Sequence, residues 1–187
     1  MRKATGIVRK VDELGRFVIP KELRRTMRIK EGDLLEIYTD DDADMVLKKY
    51  SPIEGIGNRY INEYIKTLHQ IFGEGDVLIC DRNKICASAG TNQEHYMNKE
   101  LHHDISGFFK QDKYVSVLLH GSDKINVTLE DKEFTTQMIS LIRYGNHDIA
   151  GAVISLLAMA DYKAEILDYM SKATSSMACL IGNTIYS

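Results

Sequence analysis

The stretch "TGIVRKVDELGRFVIPKELRRT", residues 5 to 26, decides the fold of the first third of the chain and points to what that third can touch. Two short apolar runs flank the turn residues "DELG", and Pro20 follows "FVI" where its fixed φ suits the first position of a helix. The spacing predicts strands over 5–11 and 16–19, a turn at "DELG" and a helix over 20–28. In "KELRRTM", Leu23 and Met27 are four apart and are expected to face the core. Arg24 and Arg28 are four apart on a neighbouring face with Arg25 beside them, so the guanidinium groups point outward together. Arg9 and Lys10 come from the first run and Arg16 leads the second, all near the turn.

The formal net charge of -3 hides an uneven distribution. Residues 1–30 carry ten Lys or Arg against three acids, +7; residues 31–50 carry two against seven, -5; the remaining 137 carry twelve against seventeen, -5. A positive segment on an otherwise acidic chain attracts polyanions to one face and repels them elsewhere. Guanidinium groups grip phosphates and base edges bidentately, so Arg9, Arg16, Arg24 and Arg25, with Lys10 as a further phosphate contact, are the candidate nucleic-acid residues. Charge alone fits a solvated face about as well. With no Trp in the chain and few aromatics near these arginines, stacking on single strands is disfavoured and double-stranded DNA is the expected partner.

The chain of 187 residues, 44% hydrophobic and 27% charged, is long enough for one domain or two small ones. The boundary falls at "KKYSPIEGIG", where Pro52 forces Ser51 toward extended backbone and two glycines follow. The expected division is 1–52, a linker at 53–57, and 58–187. Strands at 34–39 and 45–49, around a turn at "DDAD", complete the first part. Its fifty residues bury too little surface to be comfortable alone, so association with a second copy is expected.

Beyond the boundary, Ile61, Ile65, Leu68 and Phe72 recur at helical spacing, and "VLIC" and "ICASA" read as a hairpin around "DRNK". One or two short helices between about 92 and 111 come next, then a strand near "YVSVLL". Two long strands, "FTTQMISLIRY" and "IAGAVISLLAM", follow, and a helix closes the chain from about Ala164 to Ile185. This is a sheet covered by helices, without the regular alternation of a dinucleotide-binding fold. Both long helices carry near-heptad apolar seams, in the last case Ile166, Met170, Ala173, Met177 and Leu180, which fit either the chain's own sheet or an intersubunit bundle.

"GAVISLLAMA" is about half the roughly 20 residues a membrane helix requires, and the first residues lack a signal-peptide core, so neither a membrane partner nor export is expected. Three cysteines without scaffold spacing suit a reducing cytoplasm. His95, His102, His103 and Asp104, with Cys80 and Cys86 upstream, match no standard zinc spacing, and no nucleophile or phosphate-loop motif stands out. No metal, cofactor or catalytic residue is expected, and Asp40, Asp41, Asp42 and Asp44 read as a turn.

The stretch from "TGIVRKVDELGR" through "VIP", "ELRRT" and "LEIY" to "LKKYSP" resembles the DNA-binding domain of the AbrB family of bacterial transition-state regulators over about the first 52 residues. The resemblance implies a swapped-hairpin β-barrel in which two chains interlace. It places the family's DNA-contacting arginines on Arg9, Arg16, Arg24 and Arg25. A long domain after "LKKYSPI" resembles the longer, sporulation-associated members, which implies a GAF-like mixed α/β domain, an α+β protein overall, and a tetramer made through that domain. Cyclic-nucleotide binding does not carry over, since that branch's motif is missing. Two further readings stand beside this one: a sensor whose small-molecule effector lies against "HHDISGFFKQD", and an antitoxin, since some antitoxins share the barrel.

Overall fold

In a computed structural model, residues 5–29, 31–39, 44–111, 116–146, 148–158 and 162–186 are described, and the chain divides into two units, Met1–Tyr50 and Ser51–Ser187. The acidic turn at 40–43, Tyr114 and Val115 of the expected strand, and His147 of "GNHD" lie outside the described residues.

The first unit contains helix α1 (Lys21–Thr26) and an antiparallel pair, β1 (Leu35–Thr39) and β2 (Met45–Lys49). Ile37 lies opposite Leu47 and Glu36 opposite Lys48, an apolar and an opposite-charge cross-strand pair. Lys49 Nζ reaches both Asp33 Oδ2 and the Arg28 carbonyl at 2.8 Å, tying the end of β2 to the loop before β1.

Two expectations are corrected here. The runs 5–11 and 16–19 form no ladder among the described residues, because a short apolar run favours extended backbone and cannot supply the neighbouring strand. Several of their apolar side chains stand open, Val8 84% exposed and Val18 77%, and no closed barrel forms among the described residues of one chain. Helix α1 also stops short of 28, with Pro20 at its cap position. Arg28 takes a left-handed φ of 52°, its amide bonds to the Arg25 carbonyl, and the Ile29 amide closes on the Arg24 carbonyl at 2.7 Å. This is a Schellman ending, and it removes Arg28 from the face it was expected to share with Arg24.

In the second unit, Ser51 caps the turn α2 (Pro52–Gly55), its hydroxyl accepting the Glu54 amide with Pro52 in the first position. Within residues 53–57, Ile53 is fully buried. Helix α3 (Asn58–Phe72) precedes the hairpin β3 (Asp76–Cys80) and β4 (Ile85–Gly90). Then come α4 (Gln93–Tyr96), α5 (His103–Gln111), β5 (Ser116–His120), β6 (Thr136–Tyr144), β7 (Asp148–Leu157) and α6 (Ala164–Tyr186). The strands make one antiparallel sheet in the order β4-β3-β7-β6-β5.

Because side chains alternate along a strand, the central strands serve both faces. Val77, Ile79, Met138, Ile142 and Val153 pack with Ile61, Ile65 and Leu68 of α3 and with α6. Leu78, Cys80, Ile139, Ala152 and Ile154 pack on the other face with Tyr96, Ile105 and Phe109 of α4 and α5. Such strands read as continuous apolar runs, which is why "GAVISLL" shows no period of two.

The stripe that α6 gives the sheet differs from the expected seam. Leu167, Met170, Thr174, Met177, Ala178 and Ile181 face inward, while Ile166 and Leu180 are each nearly half exposed. Two local features select this rotation. Gly182 lies against β6, where a Cβ would come within 2.0 Å of the Arg143 carbonyl oxygen. The buried Thr174 hydroxyl meets Ser155 at 3.0 Å and donates to the Met170 carbonyl, satisfying a polar group inside the core.

Candidate nucleic-acid interface

The turn between the first two runs is built around Asp12. Its amide donates to the Arg16 carbonyl at 2.8 Å, its carbonyl accepts the Gly15 amide at 3.0 Å, and Gly15 supplies the left-handed φ of 75° that closes the loop. Asp12 Oδ1 accepts the Leu14 amide at 3.0 Å and the Arg16 amide at 2.8 Å. The second oxygen, Oδ2, accepts Arg16 Nε at 2.9 Å. The Arg16 amide, followed by the Arg16 side chain and the Leu14 amide, holds the Asp12 carboxyl below its ordinary value.

This turn places Arg9 and Lys10 on its entering arm and Arg16 on its leaving arm, all exposed. Arg9 folds Nη1 onto the Val8 carbonyl at 2.9 Å. Arg24 and Arg25 stand adjacent and exposed in the last turn of α1, with Leu23 and Met27 half-buried on the opposite side as their spacing predicts. The five residues therefore form two groups in one small unit, and among the described residues no hydrogen bond or ion pair joins the groups. Composition reasoning passed over Asp12, counting it only as an acid diluting the positive charge. An Asp three residues before a Gly, in "DELG", is the signal that could have found it.

Several titratable groups of the second unit have structural roles. Asp81 Oδ1 caps the "DRNK" turn by accepting the Asn83 and Lys84 amides, and Lys84 pairs with Glu54 at 2.7 Å. Burial pushes the Cys80 thiol well up and the Cys86 thiol up to about 12, so both are protonated core groups rather than thiolate nucleophiles. Asp104 joins His102 Nδ1 at 3.0 Å and His103 Nε2 at 3.2 Å, and accepts the amide and side chain of Asn126, tying the start of α5 to a distant loop. Where α5 meets the sheet, Ile105, Phe109, Tyr96 and Val127 pack together. An open depression of about 250 Å³ lies beside Lys124, Asn126, Lys132 and Phe134. Among the described residues, no helix is long and apolar enough to cross a membrane.

Comparison with known proteins adds independent findings. Residues 58–185 match the family described as stage V sporulation protein T C-terminal, transcription factor. Residues 8–55 match the family described as antidote-toxin recognition MazE, bacterial antitoxin. Stage V sporulation protein T of Bacillus subtilis (strain 168) is 52% identical over 99 residues, 53% of this chain and 54% of that protein. The transition state regulatory protein AbrB of the same organism is 70% identical over 50 residues, 27% of this chain and 51% of its own length. The chain thus spans about half the length of the curated relatives it matches. Among solved structures, the GAF domain from Acinetobacter phosphoenolpyruvate-protein phosphotransferase superposes with a TM-score of 0.52 at 10% identity, covering 72% of this chain and 87% of that one. At that identity the likeness establishes a GAF-like fold and nothing about ligand or activity.

Proposed function

The chain belongs to the stage V sporulation protein T C-terminal transcription factor family, and from that premise we propose that it is a transcription regulator of sporulation genes that binds double-stranded DNA through residues 1–52. The observation that carries the proposal is the concentration of exposed Arg9, Lys10, Arg16, Arg24 and Arg25 in a unit of net +7 over its first thirty residues, on a chain negative elsewhere. The AbrB-like sequence of that unit supports the same reading.

The unit works as a dimer. The exposed Val8, Val11 and Val18 belong to two extended segments that lack a ladder among the described residues of one chain, and an interlaced second copy both pairs their backbone and covers apolar side chains. The swapped-hairpin barrel is that arrangement, and its two-fold symmetry repeats each arginine, so DNA contacts follow the dimer symmetry. Residues 58–187 form the regulatory and oligomerisation unit. The stripe of Ile166, Tyr169 and Leu180 that α6 leaves exposed suits a tetramer made by helix pairing. Regulation is by occupancy of DNA at the nucleoid rather than by chemistry, without metal or cofactor. A small-molecule effector, if bound, sits in the second unit.

Fluorescence anisotropy of a labelled duplex across a salt series tests the proposal. Four arginines per chain cap the contacts of a dimer at about eight phosphates; with half engaged, log affinity falls with log salt at a slope of about -4. The Arg24→Ala, Arg25→Ala double variant, its fold checked by circular dichroism, is expected to lose binding. Salt-indifferent affinity, or a variant that binds like the parent, overturns the reading. The antitoxin reading has the match at 8–55 in its favour; co-purification of a small partner protein would support it.

A further inference from the structure

We propose that Asp12 is the positioning residue of the DNA-contacting surface: its carboxylate grips Arg16 at Nε so that the Nη1/Nη2 edge is presented to a phosphate or a base edge. The inference rests on the DNA-binding reading above and assigns a role to an acid that the charge pattern alone would count against DNA binding.

The geometry divides the two oxygens of Asp12 between two tasks. Oδ1 takes the Leu14 and Arg16 amides and so builds the turn; Oδ2 takes Arg16 Nε at 2.9 Å and so aims the side chain. A guanidinium offers two bidentate edges, Nε with one Nη and the Nη pair. Anchoring Nε leaves the terminal pair available on a side chain that is 71% exposed. A free arginine samples many rotamers and loses that freedom on binding; one held at Nε has lost part of it beforehand. The bond set closes within five residues, Asp12 to Arg16, so it does not depend on the partner chain that completes the barrel. Arg9, by contrast, bonds through Nη1 to its neighbour's carbonyl and must release it to use the same edge.

Electrostatics and positioning predict opposite signs, which makes the proposal easy to break. Deleting a negative charge from a DNA-facing surface should tighten binding if Asp12 acts only through its charge. If it positions Arg16, the deletion weakens binding. The decisive variant is Asp12→Asn: its carbonyl oxygen still caps the two amides, but its amide nitrogen meets Arg16 Nε donor to donor. Anisotropy with a labelled random-sequence duplex pool, on full-length protein matched to the parent by circular dichroism, is expected to show about tenfold weaker binding for Asp12→Asn, as for loss of one hydrogen bond to a charged group. In an Arg16→Ala background the same substitution is expected to be neutral or to tighten binding. In the free protein, carbon-detected NMR is expected to find the Asp12 carboxyl titrating below its ordinary value, and moving up in Arg16→Ala.

Equal or tighter binding by Asp12→Asn in the parent background sinks this inference while leaving DNA binding intact. An equal loss in both backgrounds also sinks it, because the turn and not the arginine would be at fault. A parent that binds no duplex removes the DNA-binding reading and this inference with it, and an Asp12 titration indifferent to Arg16→Ala removes the geometric basis alone.

Discussion

The two units handle apolar surface in opposite ways. The second buries it on both faces of a five-stranded sheet, with Leu78, Ile79, Ile139 and Ile154 fully inaccessible. Among the described residues of the first, Pro20 alone is buried, and Val8, Val11, Leu14 and Val18 lie open. Each unit has a turn capped by an aspartate, Asp12 in one and Asp81 in the other. What separates them is where the complementary surface comes from. A sheet with helices on both sides closes on itself; in the fifty-residue unit two extended runs make no ladder among the described residues, and the proposed second copy would supply it. The same division separates their turns: Asp81 is buried and its turn is tied inward, whereas the turn of Asp12 is exposed and displays Arg16.

The sharpest way to break this contrast is at the centre of the second unit. Ile154→Ala empties a site packed from all sides and is expected to cost about 3 kcal/mol in urea unfolding of that unit. A cost below about 1 kcal/mol would mean that the core is looser than its burial implies.

A smaller effect sharpens the other side. In one isolated chain Val18 is mostly exposed, and truncating it should change almost nothing. If a second copy covers it, Val18→Ala costs about 1 kcal/mol per chain, and the first unit's stability becomes concentration-dependent, by about 1.4 kcal/mol for each tenfold dilution. Circular dichroism melts of parent and variant at two concentrations decide between these outcomes.

The smallest effect concerns Asp104. Partial desolvation pushes its carboxyl up, and the Asn126 amide together with His102 and His103 outweighs that, leaving it below the ordinary value. A depressed carboxylate contributes stability above its unfolded value, about 3.9, and that contribution disappears as pH falls through the folded value. Asp104→Asn is therefore expected to lower the melting temperature at neutral pH and to narrow the difference between pH 7 and pH 3 relative to the parent. An unchanged difference would show that the tie to Asn126 carries no linkage.

Residue order alone determined much. The helical spacing of Ile61, Ile65, Leu68 and Phe72, the apolar runs of β3, β6 and β7 and the +7 segment are all local, and local patterns survive without knowledge of the partner surface. Three things needed the tertiary structure. The rotation of α6 did, because its sequence offers two adjoining apolar stripes, and only the close pass of Gly182 over Arg143 with the Thr174–Ser155 contact selects one. The end of α1 did, because the left-handed Arg28 takes a conformation that glycine usually supplies. The role of Asp12 did, because a carboxylate among arginines reads as lost charge until its two oxygens are seen serving a turn and a side chain at once.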